Sequence, residues 1–121
     1  MKPIDVMRAC LDAWATRNRE ALEALIAPDF HFTSPLDNEL DREAYFRICW
    51  PGGKDLEGFD ILHYAETGDR VFVAYEARMK PGKRFRNAEL GTVRDGRLVS
   101  TEVYFGWNVP HKVKKGEHSD K

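Results

Sequence analysis

Apolar residues recur every three or four positions at the start of the chain: Ile4, Met7, Cys10 with Leu11, and Trp14. That spacing predicts a first helix carrying one apolar stripe. Asn18 interrupts the stripe and is suited to cap a short second helix with Ala21, Leu22, Leu25 and Ile26, with Glu20 near the positive end of its dipole. Pro28 is expected to close that helix. Phe30 to Ser34 reads as a short strand ended by Pro35. Asp41 is placed to cap a third helix that runs to Trp50 and stops at Pro51-Gly52-Gly53.

After Gly58 the helical period disappears. Gly68-Asp69, Pro81-Gly82 and Asp95-Gly96 separate four runs rich in aromatic and β-branched residues, expected as strands at about 59–66, 70–79, 84–94 and 97–108. The fold class predicted is α+β: a cone in which three N-terminal helices pack on a strongly curved antiparallel sheet.

A three-residue turn at Pro81-Gly82-Lys83 sets Met79 opposite Phe85, Ala77 opposite Asn87, Tyr75 opposite Glu89 and Val71 opposite Val93. Opposed residues point the same way, so Glu89 and Asn87 fall among apolar residues on the face that meets the helices. The other face carries Phe72, Arg86, Leu90 and Thr92, a mixture suited to a dimer contact.

The last strand leaves two registers. A two-residue Asp95-Gly96 turn, the form that dipeptide favours, puts Glu102 across from Glu89 and Tyr104 across from Asn87. A three-residue turn instead brings Val99, Thr101, Val103, Phe105 and Trp107 inward. The second is preferred, because two opposed buried carboxylates require one of them to hold a proton, whereas the apolar face buries readily.

A chain of 121 residues with 42% hydrophobic and 32% charged positions fits one domain, expected at 1–109, with a polar basic tail at 110–121. A compact fold of this size buries roughly two-thirds of its chain's surface, enough for a core with a pocket. Nineteen Lys and Arg against twenty Asp and Glu give a net charge of −1, so no overall field favours nucleic acid or acidic lipid. No apolar run approaches the ~20 residues a membrane span needs, and the N-terminus reaches Asp5 before any apolar stretch; a soluble cytoplasmic protein is expected. Cys10 and Cys49 lack dithiol spacing and are expected as free thiols. His31, His63, His111 and His118 show no metal-ligand spacing, so no metal site is expected, and no cofactor motif is present.

The order of these elements, with Asn18-Arg19-Glu20-Ala21-Leu22 followed by Leu25-Ile26-Ala27-Pro28-Asp29-Phe30-His31-Phe32, resembles the nuclear transport factor 2-like superfamily. The nearest branch is the SnoaL-like and ketosteroid-isomerase-like one. Val93-Arg94-Asp95-Gly96-Arg97-Leu98, leading to Val103-Tyr104-Phe105, is similar to that family's last hairpin, so the resemblance spans about residues 5–108. It implies a cone with an internal pocket, usually in homodimers. Carried over by position, the isomerase base falls on Ser34, which cannot do a carboxylate's work, and the first-helix tyrosine falls on Cys10, a weak donor. Only the protonated acid of the oxyanion site has a counterpart, Glu89, and with the base and the tyrosine missing steroid isomerisation is not expected.

The candidate chemistry therefore centres on Glu89 as acid or base, with Asn87 and Tyr75 orienting a substrate oxygen. Trp14, Phe32, Ser34, Cys49, Trp50 and Phe105 are candidates for binding the ligand, and Asp37 for doing so at the mouth of the pocket. The implied function is a cofactor-independent isomerase, cyclase or hydratase acting on a small apolar carbonyl compound. The alternatives are a non-catalytic ligand-binding protein with the same pocket and a dimeric interaction module. The partners expected are a small-molecule ligand and a second copy of the chain.

Overall fold

The computed structural model describes residues 1–120. Helix α1 spans Pro3–Ala15 and α2 spans Arg19–Leu25. Pro3 opens α1 where its missing N–H costs nothing, and Asp5 in the first turn accepts from the Lys2 amide at 3.0 Å. Arg17, with φ of 55°, turns the chain between the helices. Asn18 then caps α2, its side chain accepting from the Ala21 amide at 3.0 Å.

Pro28 does not end α2. The helix stops at Leu25, and β1 runs Ile26–Ser34 with Pro28 inside it. Pro28 falls where the pairing of β1 with the last strand shifts between Ile26 and His31, so its missing amide breaks no regular ladder. A four-residue strand β2, Asp37–Leu40, folds back on β1 and was not expected from its polar sequence. The third helical segment begins as expected, with Asp41 accepting from the Ala44 amide at 2.9 Å. Only Arg42–Ala44 (α3) is α-helical; a wider π-helical turn at Tyr45–Cys49 and a 3-10 turn at Trp50–Gly53 follow.

Strands β3 (Leu56–Thr67), β4 (Arg70–Met79), β5 (Lys83–Arg94) and β6 (Arg97–Val109) complete a six-stranded sheet in the order β2-β1-β6-β5-β4-β3. Every neighbour is antiparallel except β1 with β6. The fold is α+β, a curved, largely antiparallel sheet with the helices packed against it. Beyond Pro110 the described residues form no helix or strand, and no described helix is long and apolar enough to cross a membrane.

Two registers differ from the sequence reading in instructive ways. The β4–β5 loop keeps three residues but starts one residue earlier, at Lys80, pairing Met79 with Lys83, Tyr75 with Asn87 and Val73 with Glu89. The offset is two residues, which preserves the face, so Glu89 still points inward. At Asp95-Gly96 both registers occur. The turn is the two-residue form, pairing Arg94 with Arg97 and Val93 with Leu98, and a bulge at Val99 then shifts the ladder to Thr92–Ser100 and Glu89–Val103. The extra residue keeps Leu98 and Thr101 both buried, at the cost of one irregular pair, and leaves Glu102 outside.

The core lies between α1 and the sheet, with Val6, Met7, Leu22, Ile26, Phe30, Val71 and Val73 almost fully covered. Gly91 makes this contact close: a Cβ there would stand 2.5 Å from Met7 Cε. The opposite face of the sheet exposes Phe72 and Tyr104. Beside them Glu76 is held by Arg84 and Arg86, each at 3.1 Å.

Candidate functional site

Helix α1, the π-helical turn and strands β1, β3, β4, β5 and β6 enclose a cavity of about 180 Å³. Met7, Leu11, Phe32, Phe59, Leu98 and Val103 supply apolar wall. Cys10, Trp14, Tyr45, Cys49, Tyr75, Glu89 and Thr101 bring the polar atoms to it. No lysine, arginine or histidine lines it among the described residues.

Glu89 is partly covered by its neighbours, and the carboxylate faces a poorly hydrated, largely apolar surrounding. Loss of hydration pushes its pKa up from 4.5 to about 7, against the opposing effect of the Tyr75 hydroxyl, which donates to Glu89 Oε2 at 2.5 Å. Burial and then the nearby Glu89 charge raise Tyr75 in turn, so its hydroxyl keeps its proton. The ring of Tyr75 is fixed edge-on against Phe59, with centroids 5.0 Å apart. Burial, then Glu89, also raises the Cys10 thiol to about 12, and burial followed by Asp37 raises Cys49 to about 11. Neither is a ready nucleophile, since it is the thiolate that reacts. Both cysteines are free.

Trp14, Phe32, Cys49, Tyr75 and Glu89 therefore share one cavity. The other sequence candidates do not line it, although the Asn87 side chain still bears on the Tyr75 hydroxyl and favours its charged form. Asn87 and Phe105 line a separate cleft of about 530 Å³ with Phe85, Trp107 and His111. The Asn87 side chain there accepts from the Gly106 amide at 3.1 Å. Phe105 lines that cleft rather than the cavity, and the residue is 55% exposed. Ser34 and Asp37 close the β1–β2 turn on each other, with Ser34 Oγ donating to Asp37 Oδ2 at 2.7 Å and accepting from the Leu36 amide. Trp50 stacks behind the wall, 4.9 Å from the Trp14 ring and beneath the Arg17 guanidinium at 3.8 Å.

Tyr45 and Thr101 were not singled out as site residues from the sequence. Tyr45 follows the Asp41 cap, but the widened turn that aims it inward has no signature in the residues. Thr101 was placed on the inner face, and a lone hydroxyl on an otherwise apolar strand face was the available signal. Among the described residues, no group of three or more His, Cys, Asp or Glu side chains is placed to hold a metal ion. A larger cleft of about 840 Å³ lies between α2, β1 and the α3 segment, where Arg19, Arg42, Arg47 and Arg97 are interspersed with Glu23, Asp41 and Glu43.

A model of the SnoaL-like domain matches residues 7–101. Among solved structures, an NTF2-like protein of unknown function from Cytophaga hutchinsonii superposes with a TM-score of 0.71 at 21% identity, over 88% of this chain and 91% of the other. IdmH from Streptomyces antibioticus, a candidate polyketide cyclase, gives 0.71 at 24% identity, over 85% and 91%. A ketosteroid isomerase-like fold from Catenulispora acidiphila, in complex with trimethylamine, gives 0.68 at 21% identity, over 88% of each chain. These likenesses establish the shared fold. Among curated proteins none matches the chain.

Proposed function

This chain belongs to the SnoaL-like domain family, and from that premise we propose that it is a cofactor-independent acid–base enzyme of the isomerase, cyclase or hydratase type, acting on a small apolar carbonyl compound. The observation that carries this reading is Glu89: a carboxylate in an apolar cavity, without a facing cation, whose pKa is pushed up to about 7. A group that titrates near the working pH both accepts and returns protons efficiently. Glu89 would remove a proton α to the carbonyl and deliver it elsewhere on the same molecule. The Tyr75 hydroxyl steadies the carboxylate and holds it in one orientation. The cyclase description of the Streptomyces neighbour is consistent with this class of chemistry.

The test is deuterium exchange at the α-carbons of small ketones in D2O, followed by NMR. Exchange above the buffer rate that is lost in Glu89→Gln supports the proposal. Exchange at the buffer rate across a panel of small ketones contradicts it.

A second reading, passive binding of a small alkylammonium ion, is favoured by the aromatic rings of Trp14, Phe32, Tyr45, Phe59 and Tyr75 around a carboxylate. The trimethylamine bound to the Catenulispora neighbour supports it. Under either reading the protein is proposed to act as a homodimer. The supporting surface is the outer sheet face, where Phe72 pairs with Leu90 and Tyr104 lies across from Ala88.

A further inference from the structure

Two hydroxyl groups on the cavity wall have hydrogens with no protein acceptor. The first belongs to Tyr45, a buried residue whose oxygen accepts from Trp14 Nε1 at 2.9 Å. That bond occupies a lone pair and fixes the oxygen, while the hydroxyl hydrogen meets no acceptor among the described residues. The second belongs to Thr101, 5% exposed, whose Oγ1 is buried without a hydrogen-bond partner. Buried polar groups are almost always paired in folded proteins, so two stranded hydroxyls on one cavity wall call for an occupant.

We propose that Tyr45 and Thr101 form a two-donor seat for the carbonyl oxygen of a small ketone or aldehyde inside the Glu89 cavity. The inference rests on the carbonyl reading above and adds the groups that recognise the oxygen and the size of molecule admitted. A carbonyl oxygen has two lone pairs and can accept from both hydroxyls. A trialkylammonium ion has one N–H, which Glu89 takes, and it offers no acceptor to either hydroxyl. The apolar wall of Met7, Leu11, Phe32, Leu98 and Val103 would cover the hydrocarbon part.

Size narrows the class further. A cavity of about 150 Å³ holds a benzene ring, and drug-sized ligands occupy roughly 300–1,000 Å³. The 180 Å³ here fits one six-membered ring or a short chain with a single carbonyl, and excludes a fused polycyclic skeleton.

Cyclohexanone labelled with carbon-13 at the carbonyl is the probe, followed by NMR on the full chain. Saturable binding is expected, with the carbonyl resonance moved downfield by hydrogen bonding. Thr101→Val keeps shape and removes only the hydroxyl, and is expected to weaken binding roughly fivefold and reduce the shift. Tyr45→Phe is expected to act similarly, and the double variant to lose the shift. Tyr45→Phe also strips Trp14 of its acceptor, so the Thr101 variant decides the matter if the tyrosine variant folds poorly. A Thr101→Val protein that binds with wild-type affinity and shift overturns the seat, as does trimethylammonium binding tighter than the ketone. The catalytic reading is separated by α-carbon exchange in the same samples. A Thr101-dependent shift without exchange upholds the seat and defeats catalysis. Glu89-dependent exchange with a shift indifferent to Thr101 does the reverse. Absence of ketone binding overturns both.

Discussion

The Tyr75 hydroxyl reaches Glu89 across two adjacent strands and two residues out of register. Tyr75 pairs with Asn87 while Glu89 pairs with Val73, yet Tyr75 Oη lies 2.5 Å from Glu89 Oε2. A diagonal neighbour on an antiparallel pair is within reach of an aromatic side chain but not of a short one. The contact opposes the loss of hydration that raises Glu89, and the balance leaves the carboxyl near neutrality.

Tyr75→Phe is expected to raise the Glu89 pKa by roughly one unit, because it removes a hydrogen bond that favours the charged form and leaves burial in place. The ring should hold its position against Phe59. A carbon-13 titration of the glutamate carboxyls reads the change. An unaltered midpoint would mean the hydroxyl does not contribute.

Stability should fall with rising pH on account of Glu89. Below its ordinary value of 4.5 the carboxyl is protonated in both folded and unfolded chains; between there and about 7 the unfolded chain gives up the proton while the folded one keeps it. Unfolding is favoured across that window by at most about 3 kcal/mol. Urea titrations of wild type and Glu89→Gln isolate the effect, since the glutamine does not titrate. The wild type should lose ground to the variant from pH 4.5 to 7 and hold level above it. A constant difference would show an ordinary pKa.

The meander, the apolar stripe of α1 and the Asn18 and Asp41 caps were legible because each rests on local chemistry: a period, a side-chain acceptor, a turn dipeptide. Glu89 was legible for a related reason, since a slip of two residues in the Lys80–Gly82 loop leaves its face unchanged. Strand β2 was not, because Asp37-Asn38-Glu39-Leu40 has no alternation and forms only by pairing with β1. Nor was the second cleft that Phe105 lines with Phe85, Trp107 and His111, residues contributed by the far ends of β5 and β6 and by the segment beyond them. The Val99 bulge reconciles a turn favoured by Asp95-Gly96 with a face favoured by burial, a compromise that neither rule alone describes.

The outer sheet face gives a separate test. Phe72 is 48% and Tyr104 55% exposed, and a charge at the first should break an apolar contact there. Sedimentation at micromolar concentration is expected to show the wild type at twice 14.0 kDa and Phe72→Glu at 14.0 kDa. A wild type that sediments only as the smaller species would remove the dimer.

Gly106→Ala should destabilise the fold by about 1–3 kcal/mol, because a Cβ there runs into the Arg86 carbonyl oxygen, which is backbone and cannot swing aside. Gly52→Ala meets open space and should stay within about 0.5 kcal/mol of wild type. Denaturant midpoints compare the two. Equal values would contradict the close approach of β5 and β6.

The most direct measurement is the titration of Glu89 itself in the unliganded wild-type protein, with its carboxyl carbon assigned by comparison with Glu89→Gln. A midpoint near 7, more than two units above the ordinary 4.5, is the expected result. A midpoint near 4.5 would show a fully hydrated or paired carboxylate and would contradict the acid–base account.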